Sequence, residues 1–249
     1  METKTPHEIE LMRVASRVVA ETLQLMREEA RAGVSTRELD RLAEQYILKA
    51  GCLPAFKGYQ GFPKTLCTSV NDQIVHGIPS DYVLQDGDLL SVDVGTIYQG
   101  YYGDGAVTVL VGTVKEGHRR LAEVTEQALY KGIAQARTGN RIGDISHAVQ
   151  THVEKFGFAV VRDFVGHGIG KRMHEDIQIP NYGPPNQGVT LKTGMVLAIE
   201  PMVNEFTPHV RILPDRWTAV TVDGGFSAHF EHTVAVTADG PDILTRLSE

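Results

Sequence analysis

At 249 residues, 42% hydrophobic and 22% charged, the chain can bury one sizeable core and has the make-up of an ordinary soluble globular protein. A formal charge of −7 with no block of basic residues speaks against direct nucleic-acid binding, and no apolar run approaches the roughly 18 residues that span a membrane. Two cysteines, Cys52 and Cys67, cannot build a disulfide framework and match no common metal spacing. With the polar start Met1-Glu2-Thr3-Lys4, which shows no signal peptide, they point to a reducing cytoplasm.

In chain order, Thr5-Pro6 reads as a helix cap followed by proline at the first helical position. Ile9, Met12, Val19, Leu23 and Met26 then recur near helical period, with Gly33 past the end. Ser35-x-x-Glu38 predicts a capping box on a second helix carrying Leu39, Leu42, Tyr46 and Ile47. A β-branched run predicts a strand over Leu89–Val94, then a turn-rich Gly95–Gly103 segment and a strand over Ala106–Val111. Leu121, Val124, Ala128, Leu129 and Ile133 outline a third helix; Ile145, Val149 and Val153 outline a fourth. Pro180–Gly188 reads as a surface loop. Strands are predicted at Met195–Ile199, Thr218–Val222 and Thr233–Val236.

The chain is written twice. Ala30-Arg31-Ala32-Gly33 and Ala136-Arg137-Thr138-Gly139 each precede a helical stretch, closed by Gly51 and Gly157, and both glycine pairs are offset by 106 positions. Leu84-x-x-Gly87-x-Leu89-Leu90-Ser91-Val92-Asp93 matches Leu191-x-x-Gly194-x-Val196-Leu197-Ala198-Ile199-Glu200 at an offset of 107. His76-Gly77-Ile78 is echoed by His167-Gly168-Ile169. No Pro/Ser-rich linker intervenes. The reading is one catalytic domain over residues 1–249 with an internal duplication, its halves near 1–112 and 113–249. The class is α+β: helices on curved, mainly antiparallel sheet with a pseudo-two-fold between the halves.

Carboxylates stand where a core should be. Asp93 and Glu200 each end an apolar strand, and an unpaired buried charge costs several kcal/mol. Asp104 lies at hairpin spacing from Asp93, and Glu231 precedes the last β-branched run. The repeat would gather all four at its centre, where divalent ions are the natural partners. His167, flanked by glycines in Gly166-His167-Gly168-Ile169-Gly170, adds one nitrogen donor. Such a set can hold two ions that activate water for attack on a carbonyl. Being rich in hard oxygen donors, it suits Mn, Fe or Co at least as well as Zn. The competing structural reading pairs Asp93 and Glu200 with arginines.

The segments Asn71–Pro79, Ser91–Gly95, Gly103-Asp104, Gly166–Gly170, Met173–Asp176, Ile199–Pro201 and Phe230–Thr233, in this order and spacing, resemble the type I methionine aminopeptidases over nearly the whole chain. The resemblance implies a pita-bread fold around two metal ions held by Asp93, Asp104, His167, Glu200 and Glu231. It implies removal of N-terminal methionine, before a small second residue, by attack of a metal-bound hydroxide. Asp104 and Glu231 would bridge the ions and Glu200 would also shuttle the proton. His174 would steady the carbonyl oxygen, and His76 would face the scissile amide. Tyr59, Phe62, Cys67, Met173 and Trp217 would line the methionine pocket, a lining that suits a polarizable thioether. Phe62, Tyr102, Gly105, Met173 and His229 depart from the family's usual residues. Expected partners are nascent polypeptide N-termini and, as an open question, the ribosome, with no nucleic acid, no membrane and a monomeric chain. The alternatives are a prolidase or aminopeptidase P relative, which usually carries an added N-terminal domain, and a non-catalytic pita-bread protein, which typically lacks several ligands. The type II enzymes carry an insertion for which the stretch from Glu200 to Glu231 leaves no room.

Overall fold

The computed structural model describes residues 3–247; Met1 and Glu2, the first half of the polar start, and Ser248 and Glu249 lie outside the described residues. Helix α1 (Pro6–Glu29) opens as the sequence predicts. The Thr5 hydroxyl accepts the Glu8 N–H at 3.3 Å, and the Glu8 carboxylate accepts the Thr5 N–H at 2.8 Å. Helix α2 (Thr36–Lys49) has half of its predicted box. The Ser35 hydroxyl accepts the Glu38 N–H at 3.2 Å, but the Glu38 carboxylate is taken by Arg41 at 3.1 Å. Helices α3 (Glu116–Ile133) and α4 (Ile142–Lys155) complete the set. Among the described residues no helix is long and apolar enough to cross a membrane.

The main sheet has nine strands, and every pairing described is antiparallel. Its middle runs from Leu66–Val70 through Leu89–Tyr98, Tyr101–Leu110, Glu231–Val236 and Val196–Ile199 to Gly166–Gly168 and Glu175–Ile179. The helices cover one face. A Cβ on Gly105 would meet Val19 and Leu23 of α1, and one on Gly132 of α3 would meet Val149 and Ile145 of α4 and Ile199 of the sheet.

The two halves are built with the same local devices. Gly33 and Gly139 both have φ of +94°, which no side chain with a Cβ adopts readily. The Gly33 N–H donates to the Leu84 carbonyl at 2.9 Å, and the Gly139 N–H to the Leu191 carbonyl at 3.0 Å. Ser35 bridges Val83 just as Arg141 bridges Thr190. The His-Gly-Ile echo has no such counterpart. His167 lies opposite Ala198 in its strand, and the residue opposite the matching Ser91 is Ser69, not His76. His76 sits past the end of Gln73–Val75 with φ of +61°. The shared tripeptide occupies different places in the two halves.

The predicted turn-rich Gly95–Gly103 segment is instead mostly strand, with the reversal confined to Gln99-Gly100, both at positive φ as a two-residue hairpin requires. Gly95 and Gly103 are there for close packing. Added Cβ atoms would lie 2.7 Å from the Met173 methyl and 2.7 Å from the Ser16 backbone nitrogen. The sequence reading missed Leu66–Val70, in which every residue is buried, so no alternation marks it as a strand.

Candidate metal centre

Strand register alone brings the ligand candidates together. Residues directly opposite in an antiparallel pair share a face, as do residues two apart. Asp93 pairs with Ala106, two residues from Asp104, and Ala106 pairs with Glu231. Across the next strand, His232 pairs with Ile199, which sets Glu231 beside Glu200; His167 pairs with Ala198, two residues from Glu200. All five therefore point away from the helices. Cys67, opposite Asp93, faces the same way. His232 takes the other face, as strand alternation predicts, with Nδ1 2.8 Å from the Thr245 hydroxyl.

The five line one cavity of about 300 Å³ together with Tyr59, Phe62, Cys67, His76, Met173, His174 and Trp217. Every residue given a catalytic, ligand or pocket role in the sequence reading is present there. Two lining residues, Phe56 and Gln60, were missed, because they lie in an irregular segment with no periodicity to mark their direction. Asn181 was missed as well. It falls in the predicted surface loop, yet it is buried and its side-chain amide donates to the Glu200 carbonyl at 3.0 Å.

Asp104, Glu231 and His167 are buried; Asp93 and Glu200 are half-buried, open to the cavity. Burial pushes the Asp93 carboxyl up to about 7 and that of Glu200 up to about 8. Asp104 and Glu231 are driven well above the carboxylate range by burial first and by neighbouring carboxylates second. Their ion-pair partners are imidazoles rather than arginines: His167 Nε2 is 3.6 Å from Glu200 Oε1 and 3.9 Å from Asp104 Oδ2, and His229 Nε2 is 3.5 Å from Glu200 Oε2. Burial lowers both imidazoles, that of His167 to about 4, so neither supplies a cation at neutral pH. Asp93 Oδ1 and Glu231 Oε1 are buried without a hydrogen-bond partner. Orphaned acceptors cost free energy, and a divalent cation is what this set of oxygens lacks. The residues fit a metal.

His167 is oriented for that role. Its Nδ1 donates to the Gly168 carbonyl at 3.0 Å, which leaves the Nε2 lone pair facing the carboxylates. Asp104, His167 and Glu231 each offer a ligand atom within 4.8 Å of the others.

At the cavity's other wall, His174 stacks on Tyr59, whose hydroxyl is 2.8 Å from His174 Nδ1, and stands 4.2 Å from His167 ring to ring. Phe62 meets Trp217 edge-on at 5.1 Å. The Trp217 turn is held by Asp215, whose carboxylate accepts the Trp217 and Thr218 N–H groups at 2.9 Å. His76 packs edge-on against Phe164, and burial, then the neighbouring His229 and His174, lower its imidazole to about 4. Its left-handed backbone is uncommon for a residue with a Cβ and is the kind of strain that gathers at functional sites. Burial and nearby carboxylates raise the Cys67 thiol well above its usual range, so it is a neutral wall rather than a nucleophile.

Residues 10–238 match the model of metallopeptidase family M24. The chain is 54% identical over 244 residues to methionine aminopeptidase 1 of Bacillus subtilis, covering 98% of both chains. The chain belongs to the M24 methionine aminopeptidases. The crystal structure of methionine aminopeptidase from Thermotoga maritima superposes with a TM-score of 0.98 at 48% identity, covering 99% of this chain and 100% of that one. Prolidase from Pyrococcus furiosus shares the pita-bread fold at greater distance, with a TM-score of 0.77 at 25% identity, over 99% of this chain and 66% of that one. Among the departures from the methionine aminopeptidase pattern, Gly105 faces α1, where a Cβ would sit 3.0 Å from Val19, and so lies outside the cavity. Tyr102 packs in the apolar cluster behind Phe56, Tyr59 and Met173.

Proposed function

We propose that this chain removes N-terminal methionine from polypeptides whose second residue is small, with two divalent ions held by Asp93, Asp104, His167, Glu200 and Glu231. Divalent ions in such a set supply an activated water and a Lewis acid for the scissile carbonyl. The observation that carries the reading is the convergence, in one cavity, of four carboxylates, two of them buried and two half-buried, and an oriented imidazole with an apolar pocket. Asp104 and Glu231, the two most buried acids, would hold the ions from the centre of the cluster. Glu200, half-buried beside the cavity, takes a proton from the attacking water and returns it to the leaving amine. The Tyr59 contact ties down His174 Nδ1, so Nε2 is free to donate to the carbonyl oxygen as charge builds there. His76, neutral at pH 7, faces the scissile amide. Mn, Fe and Co suit the donors, and Zn is within their reach. The substrates are nascent N-termini in the cytoplasm.

Tyr59, Phe62, Cys67, Met173 and Trp217, joined by Phe56, form the pocket for the first side chain. One methylene changes binding in an apolar pocket by only about 1–3 kcal/mol. Norleucine is therefore expected to replace methionine at a roughly 10–100-fold lower kcat/KM, while lysine at the same place fails, since the pocket offers no counter-charge. With methionine first, Gly, Ala or Ser second should be cleaved and Leu or Lys second cleaved poorly. Assays on tripeptide series varying one position at a time test this. Equal rates for methionine and lysine at the first position would remove the pocket assignment.

A further inference from the structure

A sixth side chain points into the carboxylate cluster. His229 ends the short strand Ser227–His229, which pairs with Met202–Asn204. Its backbone is clamped on both sides by one hydroxyl: Thr108 Oγ1 accepts the His229 N–H at 2.9 Å and donates to the His229 carbonyl at 2.9 Å. The clamp fixes the backbone from which the ring projects. The residue is 1% exposed, and its Nε2 has no hydrogen-bond partner. That nitrogen stands 3.5 Å from Glu200 Oε2, on the other side of the carboxylate from His167 at Oε1. Glu200, His229 and Glu231 each offer a ligand atom within 4.8 Å of the others. This second triad shares Glu231 with the Asp104–His167–Glu231 triad.

Resting on the metal-centre reading above, we propose that His229 is a metal ligand, giving this chain a second imidazole nitrogen where the resemblance assigns one. A buried nitrogen with no partner is costly, and a cation between Glu200 and Glu231 satisfies it together with the orphaned Glu231 oxygen. His167 and His229 would then each supply an imidazole nitrogen to the centre, one from each triad, with Glu231 common to both. Replacing an oxygen or water donor by imidazole moves preference away from Mn and toward Co and Zn. His229 would therefore widen this chain's preference for Co and Zn over Mn.

The test uses the full chain stripped of metal and reloaded with Mn(II), read by pulsed electron paramagnetic resonance for coupled imidazole nitrogen, and by competition between Co(II) and Mn(II). The wild type should show two coupled imidazoles; His229→Gln and His167→Ala should each show one. His229→Gln keeps a side-chain amide that can still donate to Glu200. It should nonetheless lower the affinity of one of the two ions on the order of 100-fold and narrow the Co-over-Mn preference. A single coupled imidazole in the wild type, removed by His167→Ala and untouched by His229→Gln, would overturn the proposal and leave the five-ligand reading standing. No bound metal in the wild type would overturn both. The wild-type spectrum decides the question even if the glutamine variant folds poorly.

Discussion

Glu231→Ala and Asp104→Ala are expected to lose bound metal and activity together, by ~10³-fold or more in kcat/KM. The ions contribute several kcal/mol of transition-state stabilisation, and each 1.36 kcal/mol is tenfold in rate. Both side chains are buried at the centre of the cluster, so losing either opens both metal positions at once. The same cluster makes stability depend on pH and metal together. In the metal-free protein Asp93 and Glu200 stay protonated up to about 7 and 8, whereas in the unfolded chain both ionise near pH 4. Between about pH 4 and 8 the folded state therefore holds more protons than the unfolded one, and metal-free stability falls as pH rises. Metal displaces those protons, so its stabilisation should grow across the same window. At 100 times Kd a ligand contributes about 2.7 kcal/mol, or roughly 5–10 °C in Tm for a chain of this size. Melts at pH 5 and pH 8, with and without Mn(II), should show the larger gap at pH 8. A metal-independent Tm at pH 8 would contradict the buried-carboxylate account.

His174→Ala should separate chemistry from metal binding. Its Nδ1 is held by Tyr59 and its ring lies 4.2 Å from the ring of His167, yet no ligand atom of His174 belongs to either triad. Loss of one donor to a developing oxyanion costs about 10²–10³ in rate. Elemental analysis should find the metal content of the wild type, with kcat reduced by that factor and KM little changed. His167→Ala should do the reverse at the metal, since it removes the one imidazole whose Nε2 faces Asp104 and Glu200. Normal metal in His167→Ala beside depleted metal in His174→Ala would mean the two roles are exchanged.

The ligands were legible because their sequence context is anomalous. Asp93 and Glu200 close strands that are otherwise apolar, and only a shared function explains charge at the end of both. The helices were legible by period and caps. What stayed hidden has physical reasons. Leu66–Val70 is buried on both faces and so lacks alternation. Asn181 sits in a Gly-Pro-rich stretch that reads as surface, although its amide reaches in to Glu200. Phe56 and Gln60 lie where no regular element fixes side-chain direction. The hairpin was misjudged for the opposite reason: glycines at 95 and 103 look like turn residues, but the backbone of helix α1 leaves no room for a Cβ at Gly103, and the Met173 and Phe56 side chains crowd Gly95. The His-Gly-Ile echo misled in the same way, since identical tripeptides carry no information about strand register. His229 was visible only as an unusual residue. Its strand is fixed by the Thr108 clamp, a contact between residues 121 positions apart that nothing in the sequence marks.

The most direct test of the central claim is the rate of first-residue release from Met-Ala-Ser, Ala-Ala-Ser and Ala-Pro-Ser, measured on metal-stripped protein and after reloading with Mn, Fe, Co or Zn. The account predicts no release without metal, restored cleavage of Met-Ala-Ser with Mn, Fe or Co, and at least ~100-fold slower cleavage of the other two. Full activity in the metal-free protein, or cleavage of Ala-Pro-Ser as fast as Met-Ala-Ser, would contradict it.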